Sequence, residues 1–360
     1  SLSHVQASVR LEALVGALPR DWHHRPLADL VDLGRERRSA QATTTGSTPV
    51  TPGWRRWLEP HSLETSVLLR AIAVVFICGS HANLFELVGG AHALLAVAGF
   101  NAARFGLSAP SIGRRWRATT RTLIGIGVPT AVIAYIGLTT HGRYGWANVT
   151  LTNWIFGDEQ APFRSELWFV EALVATTLLA TALLSVPAVH RAWRDHPWRV
   201  ATIAAALALI PRFVIVEFGE ASLHGILPAT FWLFAVGAAL AHADTRVRRA
   251  VTLLIAVMGG ASFFDEPARN VIVVTGIAAL ALLPQVRVPR AVVPLIGVLA
   301  AASLYVYLVQ FQVFAYAPTP LLSTLLAIAV GCLAWRVADR PVRRLQDLIA
   351  PVRQRNGRMS

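Results

Sequence analysis

The stretch from residue 68 to 105, LLRAIAVVFICGSHANLFELVGGAHALLAVAGFNAARF, decides the fold. It holds two apolar segments joined by a short turn around Ala82–Leu87. The first segment carries Arg70 and His81, and the second carries His92. Ionisable side chains inside apolar spans are costly, and they mark functional candidates. Eleven residues at about 100° each come close to three helical turns, so Arg70, Val74, Ile77 and His81 share one helix face. At roughly 1.5 Å per residue, the guanidinium and the imidazole are rooted about 16 Å apart along that face.

The rest of the chain is of the same kind. Of its 360 residues 54% are hydrophobic and 15% charged, and its mean hydropathy is +0.51. A soluble domain carries nearer a quarter charged residues. These values predict an all-α, polytopic integral membrane protein. The 33 cationic residues are all arginine, and the net charge is +13. They gather at the ends of apolar spans rather than along one stripe, which excludes a nucleic-acid partner and points to the lipid bilayer. Cys78 and Cys332 lie inside apolar spans and read as core residues, with neither a disulfide framework nor a metal set.

Ten apolar spans are expected, near 66–83, 88–106, 122–140, 167–187, 199–217, 225–242, 250–264, 270–285, 291–314 and 317–338. Pro211-Arg212 marks a place where the outer end of the fifth span breaks or tilts. With the N-terminus inside, the inner loops hold Arg104, Arg114, Arg115, Arg117, Arg121, Arg191, Arg194, Arg199, Arg246, Arg248, Arg249, Arg287 and Arg290. The outer loops hold only Arg143, Arg164, Arg212 and Arg269. This asymmetry predicts a multi-pass protein of the plasma (inner) membrane with both termini cytoplasmic. No internal repeat of the kind common in transporters is visible.

Four regions divide the chain. Residues 1–33 show apolar residues at 2, 5, 9, 11, 14, 15 and 18, a helical pattern stopped by Pro19, and a second short helix starts at Pro26. Residues 34–62 are rich in Ser, Thr, Gly and Pro and read as a flexible cytoplasmic linker, with Trp54 and Trp57 as interfacial anchors. Residues 63–345 form the membrane domain, and 346–360 a basic cytoplasmic tail.

Two resemblances follow from these residues. Ser1-Leu2 at the head of a helix, with Val5, Leu11, Glu12 and Pro19 after it, resembles the C-terminal half of a phosphopantetheine carrier domain. That resemblance implies that Ser1 bears the prosthetic arm and that further domains lie upstream in a longer polypeptide. A plain amphipathic cytoplasmic tail is the other reading. Residues 63–345 resemble acyltransferase family 3, the ten-span membrane acyltransferases that O-acylate lipids and sugars of bacterial envelopes. The likeness is carried by Arg70 and His81, Gly89-Gly90, Ala98-Gly99-Phe100, Arg114-Arg-Trp-Arg117, Leu167-Trp-Phe, Ser303-Leu-Tyr-Val-Tyr-Leu and Asp339-Arg-Pro341. Gln310 stands where many relatives have His, and Asp339 where many have Glu.

The resemblance implies transfer of an acyl group from a cytoplasmic thioester, acyl-coenzyme A or carrier-bound, to a hydroxyl of a lipid or envelope glycan. His81 suits a general base, since its unperturbed pKa lies near working pH. Arg70 stays protonated and suits bidentate binding of a donor phosphate or oxyanion. Otherwise His81 is an ordinary helix-end histidine, and Arg70 snorkels to inner headgroups. Glu171, four residues into the fourth span, is expected to pair with His81, His92 or an arginine. His92 shares a face with Ala96, Gly99 and Ala103, which small residues fit for close packing against another span. Trp168, Tyr307 and Gln310 are candidates to line the site, and Arg114, Arg117 and Arg121 to receive donor phosphates. A transporter or flippase of an acylated precursor, and a non-catalytic membrane anchor for a carrier-domain multienzyme, remain the rival functions.

Overall fold

A computed structural model describes Leu11, Val15 and residues 27–43, 59–157, 164–218 and 225–349. Ser1 lies outside the described residues. The elements run α1 (Leu27–Thr43), β1 (Pro60–Glu64), α2 (Thr65–His81), α3 (Gly90–Phe105), α4 (Ile112–His141), α5 (Trp146–Val149), α6 (Asn153–Phe156), α7 (Trp168–Leu183) and α8 (Pro187–Asp195). They continue with α9 (Pro197–Phe218), α10 (Leu227–Ala241), α11 (Arg246–Gly260), α12 (Pro267–Leu282), β2 (Gln285–Pro289), α13 (Val293–Val313) and α14 (Pro320–Leu348). The protein is an all-α membrane protein, and each of the ten expected apolar stretches carries a helix, the fourth running past the end of α7 to the start of α8.

Ten full spans are not what the structure shows. Ile112–His141, Pro197–Val216, Arg290–Tyr316 and Pro320–Leu348 are long and apolar enough to cross a membrane. The helices α2, α3, α7, α10, α11 and α12 have only 15–17 residues. At 1.5 Å per residue they rise about 22–26 Å, short of the roughly 30 Å hydrocarbon core. The fourth expected span is also split. Its helix stops at Leu183 and α8 turns away by 94°, with Pro187 opening the new helix. By contrast α9 runs on through Pro211 to Phe218 without the expected break.

Contacts between distant segments sort the helix ends into two groups. At one end β1 pairs antiparallel with β2, with Leu63 opposite Val286, and the Ser62 hydroxyl donates to Gln285 Oε1 at 2.7 Å. Arg104 pairs with Glu64 there, and Arg121 with Asp347 at 3.4 Å. Arg115, fully buried, donates to the carbonyls of Leu107 at 2.9 Å and Leu184 at 2.7 Å, tying the α3–α4 turn to the end of α7. At the other end the His81 ring meets Phe311 at 4.9 Å, Arg143 lies 5.6 Å over the same ring, and Arg212 donates to the Gly259 carbonyl at 2.8 Å. The helices therefore alternate in direction, and one end of the bundle is rich in arginine.

Two helices form the centre. Residues 232–240 of α10 and 300–310 of α13 are buried throughout. Helix α10 is wrapped by α3, α9 and α11, and α13 by α2 and α14. Apolar surface gains little by leaving lipid for protein, so close van der Waals packing must hold these helices. The α3–α10 crossing shows how. Gly99 faces the Phe234 carbonyl and Gly237 faces the Ala96 carbonyl, so closely that a Cβ at either would run into backbone. The small-residue face expected on α3 is this contact.

Two further departures concern the N-terminal regions. Helix α1 continues through Gly34 to Thr43, into what reads as linker. Pro60–Ser62, also assigned to the linker, belong to β1, whose partner strand lies more than 200 residues away in the chain.

Candidate functional site

A cavity of about 360 Å³ lies between α2, α3, α4, α7, α13 and α14. Its mouth is at the arginine-rich end, where Arg121 of α4 meets Asp339, Arg343 and Gln346 of α14. Arg343 Nε donates to Asp339 at 3.0 Å across one helical turn, and Gln346 Nε2 donates to the Arg121 carbonyl at 2.7 Å. Each mouth arginine thus holds a carboxylate that a competing anion can displace. Apolar walls follow, from Leu94, Val97, Ile126, Leu173 and Trp335.

Arg70 stands on this wall, one turn below Val74 and two below Ile77, all three lining the cavity. Its Nη2 donates to the Ser303 hydroxyl at 3.3 Å, and Ser303 passes its own proton to the Ala300 carbonyl at 3.0 Å. Among the described residues Arg70 makes no ion pair. A half-buried guanidinium with one neutral partner is an incomplete arrangement, open to an anionic or carbonyl oxygen.

In the direction of His81 the cavity lining extends as far as Ile77, Leu94, Phe169 and Tyr307. Tyr307 donates to the Glu166 carbonyl at 2.6 Å, pinning the turn before α7, and receives the Phe169 N–H at 3.4 Å. One turn beyond this limit lies a second set of polar groups. His81 is exposed at the end of α2. Gln310 is fully buried, and its side-chain amide lies within hydrogen-bonding reach of the His81 ring. His92 is 1% exposed and enclosed by the rings of Trp168 at 4.6 Å, Phe264 at 4.7 Å and Phe263 at 5.8 Å. Glu171 is buried one turn along α7 from Trp168.

The expected residues therefore divide. Arg70, Tyr307 and Arg121 line one cavity. His81, His92, Glu171, Trp168 and Gln310 lie outside its lining. Arg114 and Arg117 are exposed and also outside the lining. All three share one face of α4, and only Arg121, furthest along the helix, reaches the cavity lining. Sequence reasoning missed Arg343, Asn101 and Ser303 as lining residues. The i, i+4 spacing of Asp339 and Arg343 on one helix face was the available signal for the mouth. Among the described residues no three His, Cys, Asp or Glu side chains gather as metal ligands.

Compared with protein-family models, with curated proteins and with solved structures, the chain finds no match in any of the three.

Proposed function

We propose that this protein is a membrane acyltransferase that takes an acyl group from a cytoplasmic thioester and places it on a hydroxyl of a lipid or envelope glycan. The observation that supports this best is the cavity: cationic at its mouth, apolar along its walls, marked by Arg70, and lined to within one turn of His81. A phosphate-bearing acyl thioester, either acyl-coenzyme A or a carrier-bound pantetheine arm, has the same sequence of chemistry along its length. Arg121 and Arg343 meet the phosphates, Arg70 holds an oxygen of the arm, and the acyl group fills the apolar walls. The acceptor hydroxyl arrives from the opposite end. Its oxygen attacks the thioester carbonyl carbon as the His81 imidazole takes its proton. The carbon–sulfur bond then breaks, and the leaving thiolate recovers that proton from the imidazolium. The products are an ester and a free thiol.

In this reading the arginine-rich end faces the cytoplasm, as charge asymmetry requires. Single cysteines at Gly113 and His141, in a protein with Cys78 and Cys332 replaced, test the orientation. An impermeant maleimide applied to intact cells should label His141→Cys and spare Gly113→Cys. Labelling of Gly113→Cys would reverse the assignment of sides.

The cavity itself is tested at Gly125. A Cβ there would meet only the end of the flexible Gln346 side chain at 2.6 Å. Gly125→Leu should fold normally and narrow the mouth, raising KM for acyl-coenzyme A about tenfold or more with little change in kcat. An unchanged KM would show that the donor does not enter there.

A further inference from the structure

The end of the bundle that carries His81 also carries a guanidinium that the catalytic reading does not use. Arg269, in the first turn of α12, lies with its Cζ 3.8 Å over the ring of Phe264. That ring is clamped: the Phe264 N–H donates to Asn270 Oδ1 at 3.0 Å, and Asn270 Nδ2 returns to the Phe264 carbonyl at 2.8 Å. The stacking platform is therefore fixed before any ligand arrives. The only ion pair Arg269 makes among the described residues is a 3.7 Å contact to Glu266, whose side chain is 64% exposed. Its Nε is buried with no hydrogen-bond partner among the described residues. An exposed contact of that length leaves Arg269 available to a ligand while still competing with an incoming anion for it.

Two arginines flank His81, and they differ. Arg143 stacks 5.6 Å over Phe311, the ring that His81 touches, but Glu166 holds Arg143 through two oxygens. Arg269 reaches the same end through the start of α3: Gly89 packs on Arg269, and the next residue, Gly90, packs on Ile77, one turn before His81; Arg269 has no such two-oxygen partner. The start of α3 packs directly on it. A Cβ on Gly89, whose φ is +112°, would sit 3.3 Å from the Arg269 carbonyl oxygen and 3.4 Å from its Cγ. The positive end of the α3 dipole thus adds to the same field.

We propose that Arg269, on its Phe264 platform at the head of α3, is an anion subsite beside His81, and that the acceptor is a phosphate-bearing alcohol. This rests on the acyl-transfer reading for the role of His81. Arg269 would hold the phosphate bidentately while a hydroxyl of the same molecule reaches the imidazole. The ligand chemistry has two sources, a soluble phosphorylated alcohol or an anionic lipid headgroup.

The test reads the subsite without acyl transfer. Purified full-length protein in phosphatidylcholine nanodiscs is treated with diethyl pyrocarbonate, and carbethoxylation of His81 is followed by peptide mass spectrometry. Glycerol 3-phosphate should slow the reaction several-fold and glycerol should not. Nanodiscs containing phosphatidylglycerol should protect instead if the source is a lipid. Arg269→Gln should remove the protection, and Glu266→Gln, at an exposed carboxylate, should lower the concentration needed for it at least twofold. If Arg269→Gln does not fold, Glu266→Gln decides. No slowing by either phosphate source, slowing undiminished in folded Arg269→Gln, or an unchanged Glu266→Gln response overturns the subsite. Protection in a protein that forms no ester would leave the subsite in place and remove acyl transfer alone.

Discussion

The Arg70→Ala and His81→Ala proteins are expected to reach the membrane at normal levels and to transfer no measurable acyl group. Loss of a general base alone removes about 10²–10⁴ in rate, so His81→Ala should fall at least that far. Arg70 carries a second and sharper expectation. A cation at the centre of an apolar membrane helix costs about 2.5–3.5 kcal/mol on insertion scales, and Arg70, half-buried in the second turn of α2, bears a fraction of that cost. Ser303 is the one hydrogen-bond partner the described residues give it. Removing the guanidinium should therefore leave thermal stability unchanged or raised while activity vanishes. Arg70→Lys should restore about a tenth of the rate or less, because an ammonium keeps the charge and loses the planar fork. Wild-type turnover in either alanine protein would exclude these roles. A loss of stability in Arg70→Ala would make it a structural residue instead.

The second large effect is expected at the α3–α10 crossing. Gly99 and Gly237 each meet a backbone carbonyl of the other helix, Phe234 and Ala96 respectively. A backbone carbonyl cannot rotate away as a side chain can, so any Cβ forces the helices apart. Overpacking of a core costs typically 1–3 kcal/mol, and alanine at either position should lie at or above that range. Gly99→Leu and Gly237→Leu should yield little or no folded protein by size-exclusion of detergent extracts. Gly113→Ala is the control, with open space around its Cβ position, and should behave as wild type. A well-folded Gly99→Leu protein would mean that α3 and α10 do not approach in this way.

Some of this was legible in the sequence, because some of it is local. Hydropathy and length are properties of a window, and the ten apolar stretches each became a helix. Arg70 stood out because a cation among LLRAIAVVF has few innocent explanations. What depended on turns and distant partners was not legible. The end of α7 at Leu183 rests on the break before Pro187, and without it 167–187 reads as one span. The β1–β2 pair was invisible because neither PHSLE nor QVRVP alternates in a way that names its partner. Arg115 could not be told from Arg114 and Arg117, yet Arg115 is fully buried on carbonyls while its neighbours face solvent. Arg212 was assigned to an outer loop and is fully buried, bound to the Gly259 and Ala261 carbonyls. In both cases the helix face is set by packing against a segment dozens of residues away. The same limit applies to His81. Arg70, Val74 and Ile77 line the cavity along one face of α2, but the lining stops at Ile77, one turn before His81. Donor and acceptor would therefore meet from opposite ends.

The most direct measurement supplies isotope-labelled acyl-coenzyme A to the purified full-length protein in nanodiscs made from its host's membrane lipids, and follows labelled esters and free thiol together by mass spectrometry. The account predicts a labelled ester of a lipid or glycan, formed mole for mole with released coenzyme A, and absent from the Arg70→Ala protein. Intact thioester with no labelled ester, when the host's own carrier-bound thioester is also supplied, would contradict it.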